Sequence, residues 1–176
     1  SGSATPTSPQ NTLYFVKTEA QYKPYTITWY DLLEREVQVD NEGQSSVTRI
    51  VTNYDSKGNV YTKTNPFVAG GSAVYTTYVY DVYGRVTSKN NGAANTTYSY
   101  ASTGGQTTVT ETSPTGTVTR IIDAANKLVS NSDNSGTLSY TYYSSDKMKQ
   151  VSMGGTVLNS FEYDQYGNRT KLVDKD

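Results

Sequence analysis

The chain has 176 residues, a length typical of one domain, and a formal charge of -1 from 15 Lys and Arg against 16 Asp and Glu. It contains no Cys and no His, which excludes disulfides, thiolate or imidazole metal sites, and Ser-His or Cys-His nucleophile pairs. The balanced charge argues against capture of nucleic acid, and no apolar stretch approaches the roughly 20 residues of a membrane-spanning helix.

The composition predicts an ordered, all-β chain with a thin apolar core. Val, Ile, Leu and Phe together number only 31 residues, whereas the sequence holds 17 Tyr and 27 Thr. Tyr and Thr favour strands because their side chains fit a pleated surface. Residues 1–12 are predicted to be a flexible tether because they begin SGSATPTSPQ, and residues 13–176 are predicted to form a single β domain.

Near-copies of one motif recur along this domain. The clearest are YDSKGNV from Tyr54, YDVYGRV from Tyr80 and YDQYGNR from Tyr163. Aligned on the Asp position, the copies fall at residues 31, 55, 81, 101, 123, 143 and 164, in steps of 24, 26, 20, 22, 20 and 21. An internal repeat of about 21 residues indicates a repeat architecture.

Each copy is predicted to close a β-hairpin. A type I turn favours Asp at its first position and Gly at its fourth, and a left-handed residue there produces a bulged hairpin. Glu34 occupies the fourth position of the first copy and is poorly suited to it, which predicts a distorted first turn. The predicted turn residues are Asp31, Asp55, Gly58, Asp81, Gly84, Gly104, Asp123, Asn126, Asp146, Asp164 and Gly167.

Alternating residues flank the turns and predict the strands. Tyr78 and Tyr80 lie two apart, as do Tyr140 and Tyr142, so each pair shares one face of a strand. We interpret the 32–38 stretch as strand. About seven consecutive antiparallel hairpins, roughly fourteen strands, are expected to form a curled, open sheet with the paired tyrosines in its core.

Three kinds of ligand site compete with a purely structural reading. The column of Asp carboxylates resembles an acid pair of a glycosidase, and the segments DNEG at 40–43 and DNSG at 133–136 offer oxygen ligands for calcium. Turn capping explains the same residues together with their glycine partners, so no catalytic residue, metal or cofactor is assigned. Exposed aromatic rings can stack on sugars, and Trp29, Tyr83 and Tyr166 are the candidate ligand-binding residues.

The motif Y-x-Y-D-x-x-G-R/N, best seen from Tyr78 to Val86, resembles the YD repeat, also called the RHS repeat. The resemblance covers roughly residues 25–176. It implies secreted or cell-surface proteins whose repeats spiral into a β-sheet shell, among them bacterial shells that enclose a toxin, shells of insecticidal toxin complexes, and the teneurins of animals. The C-terminal DPxG-like signature of the family has no counterpart here, so only the repeat architecture is carried over.

Two functions follow as hypotheses. The first is a non-enzymatic segment of a secreted or surface protein, acting as scaffold or shell wall and pairing by its edge strands with other repeats of a larger assembly. The second is a stand-alone module that binds a carbohydrate or a protein through exposed aromatic residues. Hydrolysis by the aligned carboxylates is a third and less favoured reading.

Overall fold

The structure is a computed structural model that describes Pro9 and residues 11–174. Within these residues the chain forms sixteen β-strands and no helix, and every strand pairing is antiparallel. The all-β prediction of consecutive hairpins is therefore confirmed. Most of the predicted tether, residues 1–12, lies outside the described residues.

The chain divides into two compact units, Ser1–Asn95 and Thr96–Asp176. The prediction of one domain over residues 13–176 stays a prediction.

The first unit contains eight strands whose order in the sheet follows the chain, except that β6 pairs with β4 beside the main path. The β6 strand lies in the segment 65–72, which contains two consecutive glycines. The strands are β1 (Tyr14–Thr18), β2 (Thr26–Tyr30), β3 (Glu36–Glu42), β4 (Val47–Tyr54), β5 (Val60–Thr64), β6 (Phe67–Val68), β7 (Tyr75–Tyr80) and β8 (Val86–Asn90).

The second unit contains the remaining strands, again in chain order. Its first strand starts at Asn95, the last residue of the first unit. The strands are β9 (Asn95–Thr103), β10 (Gln106–Ser113), β11 (Gly116–Ile122), β12 (Leu128–Asp133), β13 (Gly136–Tyr142), β14 (Met148–Met153), β15 (Thr156–Tyr163) and β16 (Arg169–Asp174).

Six tyrosine–aspartate-type corners lie within the described residues, and each joins two strands at a β-bulge. The register shifts immediately before the corner in every case, as between Trp29 and Tyr30 or between Val79 and Tyr80. This geometry is the bulged hairpin that the Asp and Gly spacing predicted. The opposite ends of the second unit's hairpins are closed by two-residue turns, for example Gly154–Gly155 with φ of 55° and 84°.

Ala101 does not occupy a corner, which corrects the alignment of the fourth copy. It lies inside β9 opposite Thr108, and the chain reverses later, at Gly104 and Gly105. Both glycines have positive φ, 60° and 77°, as a type I′ turn requires. Gly104 is thus a turn residue as predicted, but in a different kind of turn.

The first copy is not distorted, so that prediction was wrong. Glu34 adopts φ of 59°, and its N–H donates to the Asp31 carbonyl at 3.1 Å, as in the other corners. The 32–38 stretch is also only partly strand, because residues 32–34 belong to this corner and β3 begins at Glu36.

Among the described residues, the buried ones all lie in the first unit. Ile27 and Trp29 form its apolar centre, and Phe15 packs on the Trp29 ring with 4.8 Å between centroids. Asp40 is buried beside them, and its two oxygens accept bonds from Arg49 at 2.7 and 2.8 Å and from Gln38 at 3.1 and 3.0 Å. A buried carboxylate needs such pairing to offset its desolvation.

The second unit has a half-buried sheet instead of a sealed core. None of its described residues is buried, and most of its tyrosines and valines are of intermediate exposure. Tyr140 and Tyr142 accordingly pack in the sheet without being sealed from solvent, which is a weaker form of the tyrosine core that the sequence predicted. Such a sheet gains less stabilisation from apolar burial than a sealed core would.

Candidate functional site

The corner aspartates form the most regular polar feature of the molecule. At each one the Oδ1 atom accepts two backbone N–H groups, from the second and the fourth residue after it. For Asp81 the donors are Tyr83 and Arg85, at 2.9 and 3.0 Å. Asp31, Asp55, Asp123 and Asp164 repeat this pattern at 2.8–3.0 Å.

The second carboxylate oxygen is also occupied at four corners. Arg35 donates to Asp31 Oδ2 at 2.8 and 2.6 Å, and Arg85 donates to Asp81 Oδ2 at 2.7 Å. At Asp55 and Asp164 the donors are the amides of Asn59 and Asn168, each at 3.0 Å. These carboxylates are turn caps, and both of their oxygens are engaged within their own turn.

The fourth corner residue adopts the left-handed backbone conformation throughout. Glycine supplies it at Gly58, Gly84 and Gly167, with φ of 88°, 77° and 85°. Asn126 and Asp146 supply it at φ of 61° and 65°. The predicted turn residues therefore lie where the sequence placed them, apart from the different turn at Gly104.

One corner forms without any aspartate. Tyr143 takes the Asp position, yet its N–H still donates to Lys147 O at 2.8 Å and its carbonyl still accepts the Asp146 N–H at 3.0 Å. Its hydroxyl donates to Phe161 O at 3.0 Å, and its ring meets Tyr163 edge-on at 6.1 Å. The backbone pattern thus survives where the side chain supplies a different contact.

Hydrogen bonding lowers the pKa of four corner carboxyls. The guanidinium of Arg35 is the main cause at Asp31, and the Asn59 and Asn168 amides are the main causes at Asp55 and Asp164. At Asp81 desolvation opposes the shift, but the backbone N–H and guanidinium of Arg85 outweigh it and leave the pKa lowered. A general acid would need the opposite shift, so these groups lack the electrostatics of a glycosidase pair.

The tyrosine that precedes the aspartate connects neighbouring repeats. Tyr54 donates its hydroxyl to Glu36 O at 2.9 Å, Tyr80 donates to Val60 O at 2.8 Å, and Tyr142 donates to Leu128 O at 2.7 Å. Each acceptor is the fifth residue after the Asp position of the preceding corner. Burial raises the pKa of all three phenols, so each hydroxyl stays protonated and able to donate.

At three corners the basic side chain four positions after the Asp position contacts the ring of the tyrosine that precedes the next corner. Arg35 lies over the Tyr54 ring at 4.3 Å, Lys127 over Tyr142 at 5.5 Å, and Lys147 over Tyr163 at 5.0 Å. Lys127 also pairs with Asp146 of the next corner at 2.6 Å, and Lys147 donates to the Gly167 carbonyl. This coupling was not predicted, although a basic residue stands four positions after the Asp position in four of the six corners.

The three predicted ligand-binding aromatics differ in their exposure to solvent. Trp29 is only 3% exposed and is covered by Phe15, so it does not present a ring to a ligand, which corrects that assignment. Tyr83 and Tyr166 are 80% and 82% exposed at the tips of their corners. Alternation along β2 showed that Trp29 and Tyr30 face opposite sides, but not which side is covered.

A groove of about 480 Å³ surrounds Tyr166 in the second unit. The rings of Tyr143 and Tyr163 line it together with the charged side chains of Lys147 and Glu162. It therefore combines aromatic faces with hydrogen-bonding groups. Tyr83 lies in the first unit, outside this groove.

In the two segments that were weighed as calcium sites, 40–43 and 133–136, the aspartates make other contacts. Asp40 is committed to Arg49 and Gln38, and Asp133 accepts the Ser135 N–H at 2.7 Å. Over the part of the chain that the structure describes, no group of three or more acidic residues could hold a metal ion. No helix among these residues is long and apolar enough to cross a membrane.

Comparisons with known proteins show a likeness of fold and no likeness of sequence family. No protein-family model matches the chain, and no curated protein matches it. Among solved structures, a chain in the "Crystal Structure of TcdB2-TccC3-TEV" is similar with a TM-score of 0.59 and 13% sequence identity. The similarity covers 98% of the present chain and 12% of that chain. This likeness shows that the present chain and part of that chain share a fold.

Replacing Tyr80 by Phe is expected to lower the free energy of unfolding by about 1 kcal/mol, because it leaves the Val60 carbonyl without its donor while keeping the ring. Urea unfolding followed by far-UV circular dichroism measures the difference. Tyr22→Phe is the matched control because Tyr22 is 96% exposed. Equal stability of Tyr80→Phe and the control would show that the hydroxyl does not couple the repeats.

Stability is expected to fall in acid. The lowered folded-state pKa values mean that the unfolded chain binds more protons, so the stabilisation is complete above the ordinary Asp pKa of 3.8 and is lost as the pH falls through the folded values. Unfolding free energies measured across this range test it. Asp31→Asn should flatten the acid slope, since its amide does not titrate but still caps. An unchanged slope in that variant would contradict the assignment.

Proposed function

We propose that this chain is a non-enzymatic structural segment of a secreted or cell-surface YD-repeat protein, serving as scaffold or shell wall in a larger assembly. The observation that supports it most is the fold similarity to a chain of TcdB2-TccC3-TEV, of which the present chain spans 12% of the length. The repeat motif points the same way. The site chemistry agrees, because the corner aspartates accept N–H groups of their own turns.

Edge pairing is the proposed mode of assembly. All five residues of β1 are exposed, and within the described residues this strand pairs only with β2. Its apolar side chains include Phe15 and Val16, whose exposure on an edge favours addition of another strand. The exposed strand β16 carries Arg169 and Lys171 and ends at Asp174, charges that oppose such pairing.

Val16→Lys is expected to reduce self-association of the chain. The charge lies on an exposed position of β1, so it should disfavour a paired strand while leaving the fold intact. Light scattering should show a concentration-dependent size for the unmodified chain and a smaller dependence for the variant. Thr170→Lys on β16 is the matched control. A chain that stays monomeric at all concentrations, or equal association of both variants, would contradict edge pairing through β1.

A second candidate function is carbohydrate binding, which the groove at Tyr166 favours. Aromatic faces beside a carboxylate and an ammonium group suit a sugar ring with its hydroxyls. The exposed Tyr83 offers a separate, simpler platform. Protein recognition by the same exposed aromatics is the other form of this hypothesis.

Tyr166→Ala is expected to abolish binding on a glycan array at the groove, and Tyr83→Ala to abolish any binding at its own corner. Tyr22→Ala is the control, because Tyr22 is exposed but lies outside the groove. Absence of any bound glycan, or loss of binding in the control as large as in Tyr166→Ala, would exclude this function.

A further inference from the structure

Two tyrosines face each other across the first strand pair. Tyr14 of β1 and Tyr30 of β2 are direct register partners. Their rings are stacked, with 5.0 Å between centroids and 15° between planes. Tyr14 is 40% exposed, so a small oxidant can reach the pair from solvent.

Both phenols are also free to react. Within the described residues neither hydroxyl has a hydrogen-bond partner, whereas other tyrosine hydroxyls, such as those of Tyr80 and Tyr142, donate to backbone carbonyls. The backbone beside the pair is held in place, because the Leu13 N–H donates to Tyr30 O at 2.7 Å. The two rings are therefore kept adjacent by the strand pairing and not by their own polar groups.

We propose that Tyr14 and Tyr30 are the site of an intramolecular dityrosine cross-link, formed by a peroxide-driven one-electron oxidant of the haem peroxidase class. Each phenol loses one electron and one proton to give a tyrosyl radical. The two radicals join by a carbon–carbon bond between ring positions ortho to the oxygens, and each ring then loses its ortho hydrogen to the phenolic oxygen as aromaticity is restored. Overall two hydrogen atoms leave the protein, and one hydrogen peroxide is reduced to two waters.

The cross-link would fix an exposed strand that the sequence cannot secure in another way. With no Cys in the chain, a disulfide cannot join β1 to its neighbour. A bond between the rings of Tyr14 and Tyr30 would join β1 to β2 covalently. This inference rests on the stacked pair and is independent of the proposed scaffold function.

A second aromatic pair provides an internal comparison. Tyr143 and Tyr163 are 6.1 Å apart with perpendicular rings, and the Tyr143 hydroxyl is bound to Phe161 O. In this pair the Tyr143 phenol must leave its acceptor and the rings must close a longer distance before ortho carbons can join. The stacked pair is therefore the preferred site.

The test treats the full chain at low concentration with horseradish peroxidase and limiting hydrogen peroxide. Dityrosine fluorescence, an unchanged monomer band on a denaturing gel, and a peptide joining residues 14 and 30 with the mass of two hydrogens lost are expected. Tyr14→Phe and Tyr30→Phe keep the ring but not the phenolic hydrogen, so each should abolish that peptide. Tyr22→Phe, which removes the phenol of a tyrosine that is 96% exposed, should leave the yield of that peptide unchanged.

Several outcomes of this experiment would contradict the proposed cross-link. Cross-links only between chains through Tyr22, Tyr83 or Tyr166, or a 143–163 link without a 14–30 link, would overturn the proposal. So would the absence of any cross-link while free tyrosine added to the same reaction is converted. Circular dichroism of the Phe variants distinguishes a lost phenol from a lost fold. In the cross-linked chain, amide hydrogen exchange across β1 should be slower than in the untreated chain.

Discussion

The chain can reverse at each corner only because its fourth residue adopts a left-handed backbone conformation. That conformation is unfavourable for most side chains, and three of the corners use Glu34, Asn126 and Asp146 instead of glycine. At the Glu34 and Asn126 corners a carboxylate oxygen accepts two N–H groups of the turn and stabilises the reversal. At the Asp146 corner, where Tyr143 replaces the aspartate, the Asp146 carboxylate pairs with Lys127 and the Tyr143 hydroxyl donates to Phe161 O. Each strand pair that a corner joins therefore depends on the turn at that corner.

Corners alone would give separate hairpins, which are marginal in water. At three corners the tyrosine before the Asp position links one hairpin to the previous one, as Tyr80 does through the Val60 carbonyl. Arg35 and Lys127 add a cation over the ring of the next tyrosine. Aspartate shapes a repeat and tyrosine attaches it to its neighbour, which explains why the two residues occur together. This division also explains how a half-buried sheet with few aliphatic residues holds together.

The sequence predicted the corners well because their chemistry is local. Asp and a left-handed residue three positions later act within one turn, so Asp81 with Gly84 could be recognised from spacing. Ala101 was misplaced because Gly104 and Gly105 form a two-residue turn that the average spacing does not reveal. Glu34 was misjudged because propensity ignores the help of Asp31 and Arg35.

Features that depend on distant strands were less visible. The alternation of side chains along β2 indicates that Trp29 and Tyr30 point to opposite faces of the sheet. Only the packing of Phe15 on Trp29 shows which of these faces is covered. The tyrosine hydroxyl contacts join residues about one repeat apart, and no residue pattern announces their acceptors, which are backbone carbonyls. The stacking of Tyr14 on Tyr30 similarly requires the register of β1 and β2.

The backbone angle φ at Glu34, Asn126 and Asp146 tests the central claim most directly. Nuclear magnetic resonance couplings between the amide and α protons, with the carbon shifts of these residues, report its sign in solution. The account predicts positive φ at all three, near the 59°, 61° and 65° of the structure. A negative φ at any of them, extended or helical, would mean that the chain does not reverse there and would contradict the corner architecture.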